Sequence, residues 1–351
     1  MEAIGVTWFR DASAAEWDAL AQSPMQRHAW MHACAEHLAC PADLRTVIIG
    51  GAGGPRAMAP LVKRGRRVPY FELLGARELG EPADLVYADE PSARALARAL
   101  VQLGTAVMLP RVRATAVTVA AMKHAYRRAG IVRCRAASGA PYIELDDRWQ
   151  GDEPPLDTGR RSDLRRARRR AEFLGPVRTD IACPIPAAFD AAFDEFVGVE
   201  GAGWKGRNGT ALATDPVRQA FFRTYARAAC RAGALRLCIL RIGAQAAAAE
   251  LAVESDGRLW LLKIGYDESF ARCSPGQLLL ADTVRYAARK GLQSCELLGA
   301  PEPWTHVWTD REHACVSISA YPARPMSLAV MAADAANAGR RKVAHLVASM
   351  I

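Results

Sequence analysis

The chain has 351 residues, a hydrophobic content of 51% and a formal net charge of +9. This length exceeds one ordinary hydrophobic core and predicts two domains. No uninterrupted apolar run reaches about 18 residues, so the sequence predicts no transmembrane segment. The nine scattered cysteines form no Cys-x-x-Cys pair. Because the N-terminus also lacks a signal core, we expect reduced thiols in the cytoplasm.

The N-terminal half alternates short apolar strands with helices. Ser13 and Glu16 have the spacing of a capping box, which predicts a helix start. A glycine-rich turn over 50–55, between apolar runs, predicts an antiparallel beginning to a sheet. The predicted strands are 4–9, 44–49, 57–63, 68–74, 106–112, 131–136 and 141–145, and the predicted helices are the one after Ser13, 25–38, 91–103 and 117–129.

Residues 146–158 are acidic, contain prolines and lack periodicity, which predicts an interdomain linker or a long loop. We therefore expect a first domain over 1–150, a second over 151–325 and a helical tail over 326–351. A tail of small residues is typical of a helix that packs on its domain or frays, and a peripheral membrane or partner contact is the alternative.

A strongly basic helix is predicted at the start of the second half, where residues 159–170 read GRRSDLRRARRR. Such a run is typical of a solvated helix face. It could also steer an acidic substrate or the phosphates of coenzyme A, or touch RNA, although the aromatic residues of a single-strand-binding surface are missing. We expect no DNA partner. The remaining predicted strands are 177–181, 235–242, 246–253, 258–264, 295–298 and 316–320, and the remaining helices are 186–199, 215–232 and one that begins at Ser274.

The segment 257–308 carries the clearest functional pattern. A strand leads through a polar turn to Ser274-Pro275-Gly276, a helical pattern follows, and a second apolar run occupies 295–298. Serine before proline is typical of a helix start, with the serine side chain capping backbone N–H groups. Because a helix N-terminus favours negative charge, this order predicts an acyl-CoA or nucleotide site.

Several elements of this segment recur in the same order in one family: Lys263, Tyr266-Asp267, Phe270, Ser274-Pro275-Gly276, Glu296, Glu302, and Trp304 with Trp308. In these elements the chain resembles the GNAT-like acyltransferases of the cellulose-biosynthesis type, relatives of the Fem peptidoglycan aminoacyltransferases. The resemblance is close over 160–308 and looser in the first half. It implies an α/β (α+β) fold of two tandem GNAT-like domains, each a mixed, mostly antiparallel sheet flanked by helices. The first domain would be a scaffold.

The resemblance implies acyl-CoA as the donor, with acetyl-CoA favoured, and no metal. The cofactor would then lie at the start of the predicted helix, on Ser274, Pro275, Gly276, Gln277 and Leu278. An ordinary capped helix is the structural alternative for these residues.

Substrate-binding candidates come from the same resemblance. The family carries a Trp-Lys pair in the loop that holds Trp204 and Lys205, where tryptophan and lysine could line an acceptor pocket. Trp204 could equally plug a domain interface. Lys263 and Asp267 lie where a strand ends, and Asp267 also suits a turn. Tyr266 is a candidate to protonate the leaving thiolate.

Glu250 interrupts a strand of small apolar residues, so it either faces solvent or points into a cleft. Burial would raise its pKa toward the range of a general base. Glu296 and His306 are further catalytic candidates, and a histidine between aromatics also suits a structural hydrogen bond. Glu302, Trp304 and Trp308 complete the substrate-binding candidates. Thr305 stands where the family has lysine.

Three functions remain open from the sequence. The first is an acyltransferase that moves an acyl group from acyl-CoA to an amine on a small molecule or a glycan precursor, such as a sugar or a cell-surface polysaccharide precursor. The second is Fem-like aminoacyl transfer from a charged tRNA to a peptidoglycan precursor, which the basic helix favours. The third is a non-catalytic binding module, which the missing lysine favours.

Overall fold

The computed structural model describes residues 5–7, 13–51, 53–203 and 209–335. The chain divides into two compact units. Unit 1 comprises Met1–Ala35, Ala39–Ser138 and Ala314–Ile351, and unit 2 comprises Glu36–Leu38 and Gly139–His313. No helix in the described ranges is both long and apolar enough to cross a membrane.

The elements follow in chain order. The helices are α1 (Ala14–Asp18), α2 (His28–His37), α3 (Ala76–Leu79), α4 (Glu90–Gln102), α5 (Val117–Tyr126), α6 (Thr158–Leu174), α7 (Phe189–Gly201), α8 (Pro216–Arg231) and α9 (Pro275–Arg289). The strands are β1 (Gly5–Thr7), β2 (Leu44–Gly51), β3 (Gly54–Arg64), β4 (Tyr70–Leu73), β5 (Val86–Tyr87), β6 (Val107–Arg113), β7 (Gly130–Glu144), β8 (Val177–Ala182), β9 (Leu235–Ile242), β10 (Gln245–Ser255), β11 (Arg258–Tyr266), β12 (Ser294–Glu296) and β13 (Glu312–Pro322). Residues 325–335 are also helical.

The sheet of unit 1 has the strand order β1-β2-β3-β4-β6-β13-β7, with β5 paired to β3. Its β4–β6 pair is parallel, whereas β1–β2, β2–β3, β3–β4 and β6–β13 are antiparallel. The apolar faces of α4 and α5 cover this sheet and form its core with β2, β3 and β6. Asp89 caps α4 by accepting a hydrogen bond from the Ser92 N–H at 2.9 Å, as its position before the helix favours.

The predicted capping box at the start of α1 is confirmed. The Glu16 N–H donates to Ser13 Oγ at 3.2 Å, and the Ser13 N–H donates to Glu16 Oε2 at 3.3 Å. These bonds satisfy backbone donors that the first turn of a helix leaves unpaired.

The sheet of unit 2 has the order β7-β12-β11-β10-β9-β8. Its β11–β12 pair is parallel, and the other pairs are antiparallel. Helices α6 and α9 pack on one face of this sheet. Helices α7 and α8 contact strand residues outside those clusters, such as Gly265 and Lys263. Each unit therefore has a mixed, mostly antiparallel sheet flanked by helices, and the predicted fold class is confirmed.

The predicted break between strands 131–136 and 141–145 is wrong, because β7 continues through both. Gly139 lies within this continuous strand, close to the side chain of Glu312. A Cβ at Gly139 would lie 2.2 Å from Glu312 Oε2, so a larger residue would collide with that side chain.

The predicted linker over 146–158 is anchored to unit 2. Asp147–Gln150 forms a 3-10 turn whose Trp149 is buried and stacks on Trp308 at a centroid distance of 6.5 Å. The Arg289 guanidinium donates to the Gln150 carbonyl at 3.0 Å. The polar composition of residues 146–158 reflects these bonds and the exposed surface of the segment.

The start of the predicted tail packs within unit 1. Ser327 Oγ donates to the Gly104 carbonyl at 3.3 Å, and Tyr321 OH donates to Asp334 Oδ2 at 2.7 Å. The described part of the predicted tail, up to residue 335, therefore packs on its own unit.

Strand β11 and helix α7 approach each other closely at Gly265. A Cβ there would lie 2.5 Å from the Glu200 Cα, a backbone atom that cannot move aside without displacing the helix. Gly198 lies in the same helix, is exposed, and has open space around its Cβ position. One glycine is thus required by packing, and the other only weakens the helix.

We expect Gly265→Ala to lower the free energy of unfolding by about 1–3 kcal/mol, because overpacking forces the strand and helix apart. Gly198→Ala, the matched control, should raise it by about 0.5–1 kcal/mol, because alanine restricts the unfolded chain and favours helix. Urea unfolding of both variants checks this. A Gly265→Ala protein as stable as the wild type would contradict the close approach.

Candidate active site

The central geometric feature of unit 2 is the parallel pair β11–β12, joined through α9. The pairing runs from Arg258↔Ser294 to Trp260↔Glu296 and then stops. After Glu296 the chain turns toward β7, where the Leu297 N–H donates to the Pro141 carbonyl at 3.0 Å. Strand β11 continues to Tyr266 without β12 beside it. The two strands therefore diverge beyond Trp260 and Glu296.

A bulge in β11 lies just beyond the point where the strands diverge. Leu251 of β10 pairs with Lys263, but the next residue, Ala252, pairs with Leu261, so Leu262 is extra on β11. A bulge bends the strand and re-aims its backbone groups. The position of this bulge sharpens the divergence of β11 from β12.

Helix α9 begins at Pro275, as the Ser-Pro-Gly pattern predicts, but the expected serine cap is wrong. Ser274 has a left-handed conformation with φ 47° and makes no side-chain capping bond. A 3-10 turn over Glu268–Cys273 precedes it, and the Ser274 N–H donates to the Ala271 carbonyl at 3.0 Å. The tight exit from that turn fixes the serine backbone in a conformation in which its side chain makes no cap on α9.

The first turn of α9 offers fewer backbone donors than the sequence suggests. The N–H groups of Gln277 and Leu278 both donate to the Ser274 carbonyl, at 3.0 and 3.2 Å, and Pro275 has no N–H. In the described residues, the Gly276 N–H is the donor at this turn for which the backbone supplies no acceptor. The side chain of Leu278 is buried in the core, so Leu278 presents neither backbone nor side chain to a cofactor, contrary to its predicted role.

The structure brings several candidates together around this turn. A Cβ at Gly276 would lie 3.7 Å from Tyr266 Cδ1, so Tyr266 sits beside the start of α9. Gln277 Oε1 accepts a hydrogen bond from Trp308 Nε1 at 2.7 Å. Because Trp308 is also buried and stacked on Trp149, it anchors the loop after β12 and does not present a surface to substrate.

Glu250 is buried against α9, with 3% of its surface exposed. Thr283 Oγ1 donates to Glu250 Oε2 at 2.7 Å. Burial raises the pKa of Glu250 to about 8, although the Thr283 hydrogen bond opposes the shift and the charge of Asp282 adds to it. The carboxyl is therefore largely neutral near pH 7, inside the core, where it lacks the access to a substrate that a general base needs.

Glu296 ends β12 at the divergence point and is the centre of a polar cluster. Its side chain is buried, and its Oε1 accepts from Ser294 Oγ at 2.7 Å while its Oε2 lies 3.0 Å from His313 Nε2. Arg258 Nη1 lies 3.5 Å from Oε1. The ring of Tyr142 stacks on the His313 ring at 4.1 Å. A buried carboxylate thus holds an imidazole in a fixed orientation, as carboxylates do for catalytic histidines.

Other candidates lie apart from this cluster. Lys263 lies beside α8, with its Nζ 4.9 Å from the centre of the Phe222 ring. Asp267 caps the 3-10 turn by accepting from the Ser269 N–H at 2.8 Å, which is its turn-forming alternative. His306 is more than half exposed and lies 3.4 Å from Asp310.

The loop after β12 is organised by its own hydrogen bonds. Trp304 Nε1 donates to Glu302 Oε2 at 2.7 Å, and Thr305 Oγ1 accepts from the Glu302 N–H at 3.1 Å. Thr305 therefore closes this turn. Trp204 and Lys205 lie outside the described residues.

Sequence reasoning missed His313, Tyr142, Ser294 and Thr283. His313 is separated from Glu296 by 17 positions and lies in a different strand, so no spacing rule links them. Tyr142 comes opposite Glu296 through the β7–β12 pairing, which the sequence did not reveal. Among the described residues, no group of histidine, cysteine, aspartate and glutamate side chains has the arrangement of a metal site.

A cavity of about 380 Å³ lies elsewhere in unit 2, between β8 and α9, with Thr179, Asp282 and Arg285 in its lining. Asp282 accepts from Thr179 Oγ1 at 2.6 Å and pairs with Arg285 at 3.1 Å. Thr179, Asp282 and Arg285 thus satisfy one another in the lining of this cavity. The diverging strands, with the Glu296–His313 pair beside them, are the candidate site.

Comparison with known proteins follows this geometry. Residues 158–306 match a family model described as an acetyltransferase (GNAT) domain. The matched range contains α6, α9 and both diverging strands. Residues 158–306 therefore form an acyltransferase domain of the GNAT type, and the predicted enzyme class, an acyltransferase, is confirmed. Comparison with curated proteins gives no match.

Solved structures share this fold over most of the chain. The C-terminal domain of a protein assigned as a lysylphosphatidylglycerol synthetase, from Agrobacterium fabrum, aligns with TM-score 0.58 and 12% identity over 92% of this chain and 94% of that chain. L-PGS from Bacillus licheniformis gives 0.57 and 11% over 90% and 93%. FemX gives 0.56 and 10% over 88% and 95%. At these identities the likeness establishes the fold alone.

Glu250 generates a testable pH dependence. Its pKa is raised from 4.5 to about 8 on folding, so the folded state holds a proton that the unfolded state releases between these values. The stability that this proton contributes is complete below the unfolded-state pKa. It is lost as pH rises toward the folded-state pKa, at about 1.4 kcal/mol per pH unit. We expect Glu250→Gln to remove this slope from urea unfolding measured across the window.

Thr283→Val is the companion variant for this titration. The Thr283 hydrogen bond opposes the rise in pKa that burial causes. Without it, the pKa of Glu250 would rise further and the loss of stability would extend to higher pH. Identical slopes for the wild type and Glu250→Gln would show that Glu250 does not titrate in this window.

Proposed function

We propose that the chain transfers an acyl group from acyl-CoA to an amine acceptor. The observation that carries this proposal is the parallel pair β11–β12, which ends at Glu296 with His313 held 3.0 Å from the carboxylate. A thioester placed between the diverging strands would meet backbone donors on one side and a proton acceptor on the other. Both groups are what amine acylation requires.

The donor would be an acyl-CoA, with acetyl-CoA favoured by the resemblance. Its pyrophosphate would lie at the start of α9, where the Gly276 N–H and the dipole of a 15-residue helix favour negative charge. The chemistry thus belongs to the predicted second domain, and the predicted first domain over 1–150 acts as a scaffold.

The proposed reaction forms a C–N bond and breaks the C–S bond of the thioester. The amine nitrogen attacks the carbonyl carbon, whose oxygen is polarised by backbone N–H groups of β11. His313, oriented by Glu296, accepts the proton that the amine loses. Tyr266, beside Gly276, is placed to protonate the departing thiolate.

The acceptor is proposed from the resemblance to the cellulose-biosynthesis type: an amine on a sugar or on a precursor of a cell-surface polysaccharide. Glu302 and Trp304, joined by a 2.7 Å hydrogen bond, offer a carboxylate and an aromatic surface that suit an amino sugar. Trp204 and Lys205 keep their predicted part in this acceptor pocket, and a cytoplasmic location is proposed with it.

A second candidate is Fem-like aminoacyl transfer from a charged tRNA. The observation that favours it is the small number of free backbone donors at the start of α9. Gly276 supplies one unpaired N–H there, whereas a coenzyme A pyrophosphate would use several. Binding of deacylated tRNA, steeply weakened by salt, together with no response to acetyl-CoA, would select this candidate.

We expect acetyl-CoA to raise the melting temperature in a concentration-dependent manner, because it binds the folded state alone. Gly276→Leu should abolish this rise by covering the N–H and the space before Tyr266. Gly276→Ala, whose methyl group would make an ordinary 3.7 Å contact, should retain it. No rise with the wild type at saturating acetyl-CoA would overturn the choice of donor.

His313→Asn and Glu296→Gln should each lower acetyl transfer about 10²–10⁴-fold, because each disrupts the proton acceptor. Release of the coenzyme A thiol in the presence of glucosamine and lysine amide, used as amine probes, provides the assay. His306→Asn, on the exposed turn, is the matched control and should retain activity. Full turnover by His313→Asn would exclude this histidine. Binding of acetyl-CoA without turnover on any amine would favour the non-catalytic module.

A further inference from the structure

The C-terminal end of α6 presents a solvent-exposed apolar pair. Phe173 is 90% exposed and Leu174 is 58% exposed, although residues of their kind are usually buried. They end a helix whose other apolar residues, Leu164, Ala167 and Ala171, pack into the core of unit 2. The pair is therefore not needed to hold the helix in place.

Arginines surround this pair. Arg169 and Arg170 precede Phe173 and Leu174 by four positions each, so each arginine lies on the same side of the helix as one apolar residue. Arg170 Nε also donates to the Arg272 carbonyl at 2.5 Å, which brings the exposed Arg272 to the same end. We call these five residues the tip patch.

The charge of the tip patch is not neutralised within the chain. Earlier in α6, the arginines are ion-paired: Arg160 with Asp157, Arg165 with Glu153, Arg166 with Asp163, and Arg168 with Asp282. In the described part of the chain, no carboxylate lies within 4.0 Å of the cationic groups of Arg169, Arg170 or Arg272. The exposed Glu172 lies in the same turn and makes no such pair.

Exposed aromatic and aliphatic side chains within a ring of unpaired arginines match the surface of an anionic bilayer. The apolar side chains can enter the boundary between headgroups and acyl chains, while the guanidinium groups meet lipid phosphates. An RNA surface would instead require several stacked aromatic rings along a groove, and Leu174 offers no stacking face. The combination favours lipid over nucleic acid.

We propose that the tip patch docks the protein on an anionic phospholipid surface. Phe173 and Leu174 insert at the interface, and Arg169, Arg170 and Arg272 bind phosphate groups. This docking is peripheral and reversible, and it does not depend on the identity of the acyl donor or acceptor.

The test is co-sedimentation of the full chain with vesicles of phosphatidylcholine alone and of phosphatidylcholine mixed with phosphatidylglycerol. We expect binding to the mixed vesicles that weakens as salt rises, and little binding to phosphatidylcholine alone. The double variant Phe173→Ser with Leu174→Ser should bind the mixed vesicles at least about tenfold more weakly. Thermal unfolding of each variant shows whether it is folded.

A pair of matched charge variants locates the effect. Arg169→Gln with Arg170→Gln should weaken binding about 10- to 30-fold. Arg165→Gln with Arg166→Gln removes the same charge from the same helix but away from the apolar pair, so it should retain most of the binding. Equal losses in the two variants, or no loss from the serine variant, would overturn the proposal.

Two further results would also overturn it: no binding of the wild type to the mixed vesicles, and binding of a short RNA hairpin that is lost in the serine variant. The second result would assign the tip patch to RNA. Acetyl-CoA binding, measured separately, distinguishes failure of this proposal from failure of the proposed acyl transfer.

Discussion

The divergence of β11 from β12 is the constraint on which the rest of the site depends. A parallel pair needs a crossover, and α9 supplies it, so the start of that helix necessarily lies at the end of β11. The bulge at Leu262 and the turn of the chain after Glu296 then separate the strands. The gap, the helix start and Glu296 are therefore consequences of one topological choice.

Two buried glutamates in unit 2 show how environment assigns different roles to the same side chain. Glu250 accepts a hydrogen bond from the Thr283 hydroxyl, and burial raises its pKa to about 8, with the charge of Asp282 adding to the shift. Glu296 has a hydroxyl, a guanidinium and an imidazole within reach. Because several polar neighbours hold its carboxyl group in place, Glu296 suits the orientation of His313, whereas Glu250 suits the core beneath α9.

The sequence predicted features that depend on local chemistry and missed those that depend on pairing between distant strands. Pro275 predicts the start of α9 because proline suits the first helical turn, and the spacing of Ser13 and Glu16 predicts a capping box. The left-handed Ser274 was missed because its backbone is set by the preceding 3-10 turn. His313 was missed because it reaches Glu296 only through the sheet, across 17 positions of sequence.

A crystal structure with acetyl-CoA tests the central claim most directly. The account predicts the thioester between β11 and β12 beyond Trp260, its pyrophosphate at the Gly276 N–H, and His313 facing the acyl carbon. Acetyl-CoA bound in the cavity beside Thr179 and Asp282, or a thioester on the Glu250 side of the sheet away from His313, would contradict it.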